Sequence, residues 1–174
     1  MRTSETVEKV RGWLTGRLPE EWFEATVEVS VDREEIIVVG RIPAPDVDAE
    51  ATEAEREAAV AGRIEAFREQ TREQRMEIAR DLEHRSGRKV AWGVLCGERR
   101  QLFTTLSVPV MTRLRQAERQ VLDTLVDAGV ARSRSEALAW CVKLTGKNAD
   151  AWLAELREAM KQVDEVRKAG PDAA

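Results

Sequence analysis

The chain has 174 residues, 43% of them hydrophobic, and a formal net charge of −4 at neutral pH. This length and hydrophobic content suit one sizeable domain or two small ones and argue against global disorder. There is no 18-residue apolar run and no N-terminal signal pattern, so we expect a cytoplasmic protein without a membrane span. The net negative charge argues against simple polyanion binding.

The two cysteines carry no sign of a metal site or a disulfide framework. Cys96 and Cys141 are far apart in the sequence and lack ligand spacing or companion histidines. We interpret both as buried thiols of a reducing compartment, and we predict neither a metal nor a cofactor.

The N-terminal segments predict a helix followed by a β-hairpin. Apolar residues at helical spacing run from Thr6 to Leu18, and Pro19 ends the helix. Ala25–Val31 alternates between polar and apolar side chains, Asp32–Glu35 is typical of a turn, and Ile36–Ile42 is apolar and β-branched. Two such segments around a short turn predict a hairpin.

A long charged helix is predicted from about Glu53 to Arg85. We expect it to be supported by ion pairs such as Glu65–Arg68 and Glu69–Arg72. Its apolar stripe contains two polar positions and consists of Val60, Ile64, Phe67, Thr71, Gln74, Ile78 and Leu82. The pattern favours a helix laid on a sheet, and the alternative is a helix that pairs with its own copy around a polar layer.

A second hairpin is predicted from Lys89–Cys96 and Gln101–Ser107, joined around Gly97–Arg100. Its body is similar to that of the first hairpin, so the first half can be interpreted as a duplicated αββ unit. We therefore predict an α+β fold in which residues 1–107 form an αββαββ domain. Its four-stranded antiparallel sheet would carry helices on one face. We recognise no family from the sequence of residues 1–107.

Residues 108–115 alternate, with Val108, Val110, Thr112 and Leu114 on one side and Met111, Arg113 and Arg115 on the other. This period of two predicts a short half-buried strand. Pro109 restricts such a strand to an edge or to its first residues. The alternative is a helix that begins near Ser107, because the apolar positions also fit a helical stripe.

Two helices follow. The first is predicted over Gln116–Ala128 and stops at Gly129, a residue suited to a left-handed helix end. Ser133 and Glu136 have the spacing of a capping box and predict the start of the second helix. That helix carries an apolar face up to Leu144.

The order strand, helix, turn, helix in residues 108–145, and the segment LDTLVDAGVARSRSEAL in particular, resembles the ribbon-helix-helix family of DNA-binding proteins. The resemblance covers about a fifth of the chain. It implies that two subunits pair their strands into an antiparallel ribbon that enters the major groove of double-stranded DNA. The preceding 107 residues depart from the family pattern.

The resemblance also implies roles for individual residues. Met111 and Arg113 would face bases, since arginine can fork to guanine in the major groove. Arg115 would lie near the DNA backbone. The free amides at the start of the second helix, those of Ser133, Arg134 and Ser135, would contact a phosphate, and Arg132 beside them belongs to the same interface.

A last helix is predicted after Asn148, which we interpret as its cap. Its apolar stripe includes Trp152, Leu156, Met160, Val163 and Val166. Such a stripe needs to be buried on the protein or on a partner. We expect residues 169–174 to be frayed, and we divide the chain into 1–107, 108–146 and 147–174.

Little in the sequence favours an enzyme. The single histidine, His84, lies on a charged helix face, and no glycine-rich phosphate loop or nucleophile elbow occurs. We predict a homodimeric DNA-binding protein, a transcriptional regulator, with an antitoxin as a subtype that joins this module to a partner-binding segment. The alternative is a non-catalytic adaptor or structural subunit that docks protein partners through its long charged helix and its C-terminal helix.

Overall fold

The computed structural model describes the chain from residue 2 to residue 169, with side chains from residue 5 onward except those at 164 and 168. The chain divides into two compact units, Arg2–Val108 and the part from Pro109 onward. The fold class is α+β, as predicted. The expectation of a frayed end at 170–174 lies outside the described residues.

The N-terminal unit has the predicted order of helix, hairpin, helical segment and hairpin. Two elements are shorter than predicted: the first strand begins only at Glu28, and the last strand ends at Leu102 instead of Ser107. The elements are α1 (Arg2–Arg17), a single 3-10 turn (Glu20–Trp22), β1 (Glu28–Val31), β2 (Glu35–Ile42), α2 (Glu53–Gln70), α3 (Arg72–Ser86), β3 (Lys89–Cys96) and β4 (Arg99–Leu102).

The sheet is mixed, and the prediction of an antiparallel sheet was wrong. Its strand order is β1-β2-β3-β4, with antiparallel pairs at both edges and a parallel pair, β2 with β3, in the centre. The central register places Ile36 opposite Val90 and Ile42 opposite Cys96. The helices α2 and α3 supply the long crossover that a parallel pair requires, and this is why the second hairpin joins the first in the parallel sense.

The core lies between one face of this sheet and the helices. Ile36 and Val38 of β2 are fully buried with Leu14 of α1 and Ile78 of α3. Trp22 packs edge-on against Trp92 at a centroid distance of 6.5 Å. The charged helical segment therefore lies on the sheet, which was the favoured of its two interpretations.

That helical segment is interrupted at Thr71, where one continuous helix was predicted. The Thr71 hydroxyl donates to the carbonyl of Phe67 at 2.6 Å and accepts from Nε of Arg75 at 2.8 Å. Threonine bonded back onto its own helix tends to bend it. The predicted stripe is wrong at one position beyond the break: Gln74 is exposed and Arg75 is buried at 6% exposure, whereas Ile78 and Leu82 are buried as predicted.

The C-terminal unit contains α4 (Gln116–Asp127), α5 (Arg134–Asn148) and α6 (Asp150–Ala169). Its small core consists of Leu122, Ala131 and Ala137, with Leu114 packed against them. None of the helices in the described part of the chain combines the length and apolar character that crossing a bilayer requires.

Asn148 does not cap α6, contrary to the prediction. It is the last residue of α5, and its side-chain amide donates to the carbonyl of Leu144 at 2.9 Å. The first intrahelical bond of α6 is accepted by the carbonyl of Ala149 from the amide of Leu153, at 2.8 Å. The backbone at Ala149 therefore separates the two helices.

Candidate nucleic-acid interface

The segment before α4, which we call the arm (residues 108–115), belongs to no helix and no strand of the described chain. The helical alternative for these residues is therefore wrong, and the predicted half-buried strand does not form within the described chain either. Val110 and Met111 are 86% and 94% exposed, and Arg113 and Arg115 are exposed as well. Leu114 alone is half-buried, where it packs on the core of the C-terminal unit.

The end of the arm is fixed to the first turn of α4. Arg115 is extended, with φ −79° and ψ 173°, and its amide donates to the carboxylate of Glu118 at 2.6 Å. Nη1 of Arg119 donates to the carbonyl of Leu114 at 2.7 Å. These bonds use the backbone of the arm and leave the Arg115 side chain facing solvent.

The turn between α4 and α5 closes as a left-handed glycine cap. Gly129 has φ +72°, a conformation that costs other residues energy. Its amide donates to the carbonyl of Val126 at 3.0 Å, and the amide of Val130 donates to that of Leu125 at 3.0 Å. This pair of bonds is a Schellman motif, which sets the direction in which the chain leaves α4.

The start of α5 is capped, though differently from the predicted reciprocal box. Ser133 accepts the amide of Glu136 on its hydroxyl at 3.2 Å, as predicted. The Glu136 carboxylate reaches one residue further back and accepts from the Arg132 amide at 2.8 Å and from Nε of Arg132 at 3.1 Å. The Arg132 guanidinium accordingly lowers the pKa of Glu136.

Arg134 holds the start of α5 against α4. Its Nε and Nη2 donate to the two carboxylate oxygens of Asp123 at 2.6 and 2.8 Å. This bidentate pair lowers the pKa of Asp123 and raises that of Arg134. The Arg134 side chain is therefore engaged within the protein, whereas the prediction for this position concerned its backbone amide.

Free backbone donors remain at this helix start. Within the described part of the chain, the amides of Arg134 and Ser135 have no hydrogen-bond partner, whereas those of Glu136 and Ala137 are bonded to Ser133. Helix amides of this kind, at the positive end of the helix dipole, can bind an anion. The four predicted residues from Arg132 to Ser135 thus lie together at the start of α5, whereas no described contact joins Met111 or Arg113 to them.

The apolar stripe of α6 is uncovered. Trp152 is 59% exposed, and Met160 and Val166 are 58% and 73% exposed. Trp140 on α5 is 39% exposed. The C-terminal unit therefore presents a second apolar surface besides the arm, and nothing in the described chain buries it.

Residues able to hold a metal do not converge. Among the described side chains, no group of three or more His, Cys, Asp or Glu residues comes together. His84 is exposed on α3.

Sequence reasoning missed Arg75, which the structure buries at the break between α2 and α3. Arg68, Arg72 and Arg75 have the spacing i, i+4 and i+7 of a single helix face. That spacing was the sequence signal that could have indicated a cluster of arginines on one helix face. It was obscured because the predicted stripe placed Gln74 inside.

Both halves of the chain match known families. Residues 8–102 match the model of the Rv1265-like protein N-terminal domain, and residues 115–167 match that of the Mb1296 C-terminal domain. Similar proteins include "Uncharacterized protein Mb1296" of Mycobacterium bovis and "Uncharacterized protein Rv1265" of Mycobacterium tuberculosis. Each is 58% identical over 160 residues, covering 92% of this chain and 69% of the relative. No solved structure matches this chain. Most of the arm lies between the two matched models.

Proposed function

This chain belongs to the Rv1265-like family, and from the arm and helix pair described above we propose that it is a homodimeric, cytoplasmic DNA-binding protein that regulates transcription. The arm would pair with the arm of a second copy, and the resulting ribbon would read the major groove. The helix start at α5 would hold a phosphate of the DNA backbone.

The observation that carries this proposal is that the arm is exposed and unpaired. Residues 108–115 are neither helical nor paired with a strand in the described chain, and Val110 and Met111 are almost fully exposed. An unpaired segment with free backbone groups is a template for another strand. Two such segments from two copies form a ribbon that fits the major groove, where Met111 and Arg113 would meet base edges.

The start of α5 supports the same proposal through its backbone. The free amides of Arg134 and Ser135 lie at a helix start that Ser133 caps. Phosphate contacts of this kind position a protein on DNA without reading sequence. The Arg134 side chain would act through its bond to Asp123, whereas Arg115 would supply exposed charge near the backbone. Arg132 would supply exposed charge from within its ion pair with Glu136.

Charge sets the conditions for binding. The whole chain carries −4, but residues 108–145 carry six basic and four acidic side chains. An excess of two per copy is small, so binding would depend on dimerisation and on low ionic strength.

The uncovered stripe on α6 favours a second candidate, a protein–protein adaptor. Trp152, Met160 and Val166 would then be buried by a protein partner. An antitoxin would combine both activities in one chain.

The test is the binding of a labelled mixed-sequence duplex, followed by fluorescence anisotropy between about 50 and 200 mM salt. If Arg115 and Arg132 of both copies contact phosphates, the log–log salt slope should be roughly −4. Arg115→Ala should reduce the steepness of that slope by about 2 per dimer. The matched control Arg157→Ala removes an equal charge from α6 and should leave the slope unchanged. Binding that is absent, or independent of salt, would favour the adaptor.

A further inference from the structure

Arg75 is a buried cation without a carboxylate partner. Its side chain is 6% exposed, and no ion pair to it occurs within the described chain. Nε donates to the Thr71 hydroxyl at 2.8 Å and Nη2 to the Arg68 carbonyl at 2.6 Å. The guanidinium carbon lies 4.6 Å from the centroid of the Phe103 ring. All of these partners are neutral.

Neutral partners leave the charge of Arg75 uncompensated. Arginine is almost never fully buried unless it is paired. Burial, followed by repulsion from Arg68 and Arg72, lowers the pKa of Arg75 to about 10, so the group stays cationic at neutral pH. The Arg68 carbonyl, in the last turn of α2, supplies only the partial negative charge of a helix end. An anion would complete this environment.

One nitrogen of Arg75 is available to such an anion. Nη1 makes no hydrogen bond within the described chain. It does not belong to the fully buried side-chain atoms that lack a hydrogen-bond partner, so it contacts solvent. In the described residues, the only side-chain nitrogen or oxygen that is fully buried without a hydrogen-bond partner is Nε1 of Trp92.

Two further arginines stand beside it. Arg68 and Arg72 are exposed, and the guanidinium of Arg68 lies 5.9 Å from the centroid of the same Phe103 ring. The predicted pairs Glu65–Arg68 and Glu69–Arg72 do not form in the described structure, and neither arginine has another ion pair there. The guanidinium groups of Arg68 and Arg75 therefore lie over the same ring, and the positive charges of Arg68 and Arg72 both lower the pKa of Arg75.

We propose that Arg68, Arg72 and Arg75 form a binding site for the phosphate group of a small ligand, at the break between α2 and α3. Guanidinium groups present paired donors that match phosphate oxygens. Several cations suit a dianion better than a singly charged carboxylate. The Phe103 ring covers one side of the Arg75 guanidinium and keeps water from it. This site lies wholly in the N-terminal unit and does not depend on the proposed DNA binding.

The test measures thermal unfolding and isothermal titration of the full chain with inorganic phosphate, against chloride of equal ionic strength. Phosphate should raise the unfolding midpoint of the wild type by a few degrees, because a ligand that binds only the folded state stabilises it. Arg75→Gln should abolish this rise. Should that variant not fold, the double variant Arg68→Gln with Arg72→Gln decides. It changes exposed side chains only, and it should weaken phosphate binding by at least about tenfold (~1.4 kcal/mol). Arg80→Gln, an exposed arginine on the same helix, is the matched control and should bind like the wild type.

Three results would overturn the proposal. The first is a phosphate effect no larger than that of chloride. The second is an equal loss in Arg80→Gln, which would indicate diffuse charge. In the third, the double variant loses binding to a duplex DNA probe and keeps its phosphate response, which would assign these arginines to the DNA backbone.

Discussion

Arg134 binds Asp123 in a bidentate ion pair, with Nε and Nη2 at 2.6 and 2.8 Å from the two carboxylate oxygens. The pair joins the first residue of α5 to the middle of α4. It therefore fixes the direction of the α5 helix start, where the free amides of Arg134 and Ser135 lie. The Arg134 side chain thus orients the helix start, and its amide is one of the groups that we propose bind a DNA phosphate.

Replacing Asp123 with Asn should lower the unfolding midpoint of the C-terminal unit. It should also reduce the fall of that midpoint as the pH becomes acidic. The Arg134 bond depresses the pKa of Asp123 in the folded state. A depressed carboxyl contributes stability above its unfolded pKa of about 4, and that contribution is lost as pH falls through the folded value. Thermal unfolding between about pH 3 and pH 7 measures this. Asp127→Asn, at an exposed position of α4 without a described ion pair, should keep the wild-type pH profile; an identical change in both variants would contradict the role of the pair.

Replacing Arg134 with Pro should weaken DNA binding by about tenfold more than replacing it with Ala. Both variants lose the bond to Asp123, but only Pro removes the amide that we assign to a phosphate, and a hydrogen bond to a charged group is worth about 1.5–3 kcal/mol. Pro is well tolerated at a first helical position, and Ser133 before it is extended, at φ −155° and ψ 161°. Anisotropy titrations of the two variants, both checked for helicity by circular dichroism, give the comparison. Equal affinities would remove this amide from the interface.

Two glycines of the C-terminal unit should respond to Ala with opposite signs. Gly129 has φ +72°, so Gly129→Ala should destabilise the unit by about 1–2 kcal/mol. Gly146 lies inside α5 with open space around its Cβ position, so Gly146→Ala should stabilise it by about 0.5–1 kcal/mol. Urea unfolding measures both. Equal effects would mean that the turn after α4 is not held as described.

Gly93 in β3 should not accept a side chain. A Cβ there would lie 2.6 Å from Cδ2 of Leu102 and 2.9 Å from the carbonyl of Gln101. Because backbone has to move, Gly93→Ala should destabilise the N-terminal unit by about 1–3 kcal/mol. Chemical unfolding followed by tryptophan fluorescence reports this, with Gly62→Ala on α2, where the Cβ position is open, as the control. A neutral Gly93→Ala would argue against the close approach of β4 to β3.

Local patterns predicted the elements well, because they depend on neighbours in the chain. Alternation in residues 25–31 and the β-branched run in residues 36–42 predicted the first hairpin, and Gly129 marked the end of α4 by its conformational freedom. The parallel pairing of β2 with β3 could not be predicted in this way. It depends on how α2 and α3 return the chain across the sheet, a long-range property that no short segment contains.

In the candidate sites, too, the interactions between neighbours in the chain could be predicted and those that depend on tertiary packing could not. Ser133 was predicted as a cap because its hydroxyl bonds to an amide three residues away. The engagement of Arg134 by Asp123, eleven residues earlier, and the burial of Arg75 behind the Thr71 break depend on tertiary packing. Arg113 remains a prediction, since its role requires a partner that one chain does not contain.

Hydrogen–deuterium exchange of the arm amides from Val110 to Leu114, which have no partner in the described chain, tests directly whether two copies share a ribbon. In an antiparallel ribbon shared by two copies, alternate arm amides are bonded across the dimer axis. These alternate amides should exchange slowly at high protein concentration and lose protection on dilution, when the dimer dissociates. Exchange at the rate of an unfolded peptide at every concentration would contradict a ribbon between two copies, and with it the proposed reading of DNA.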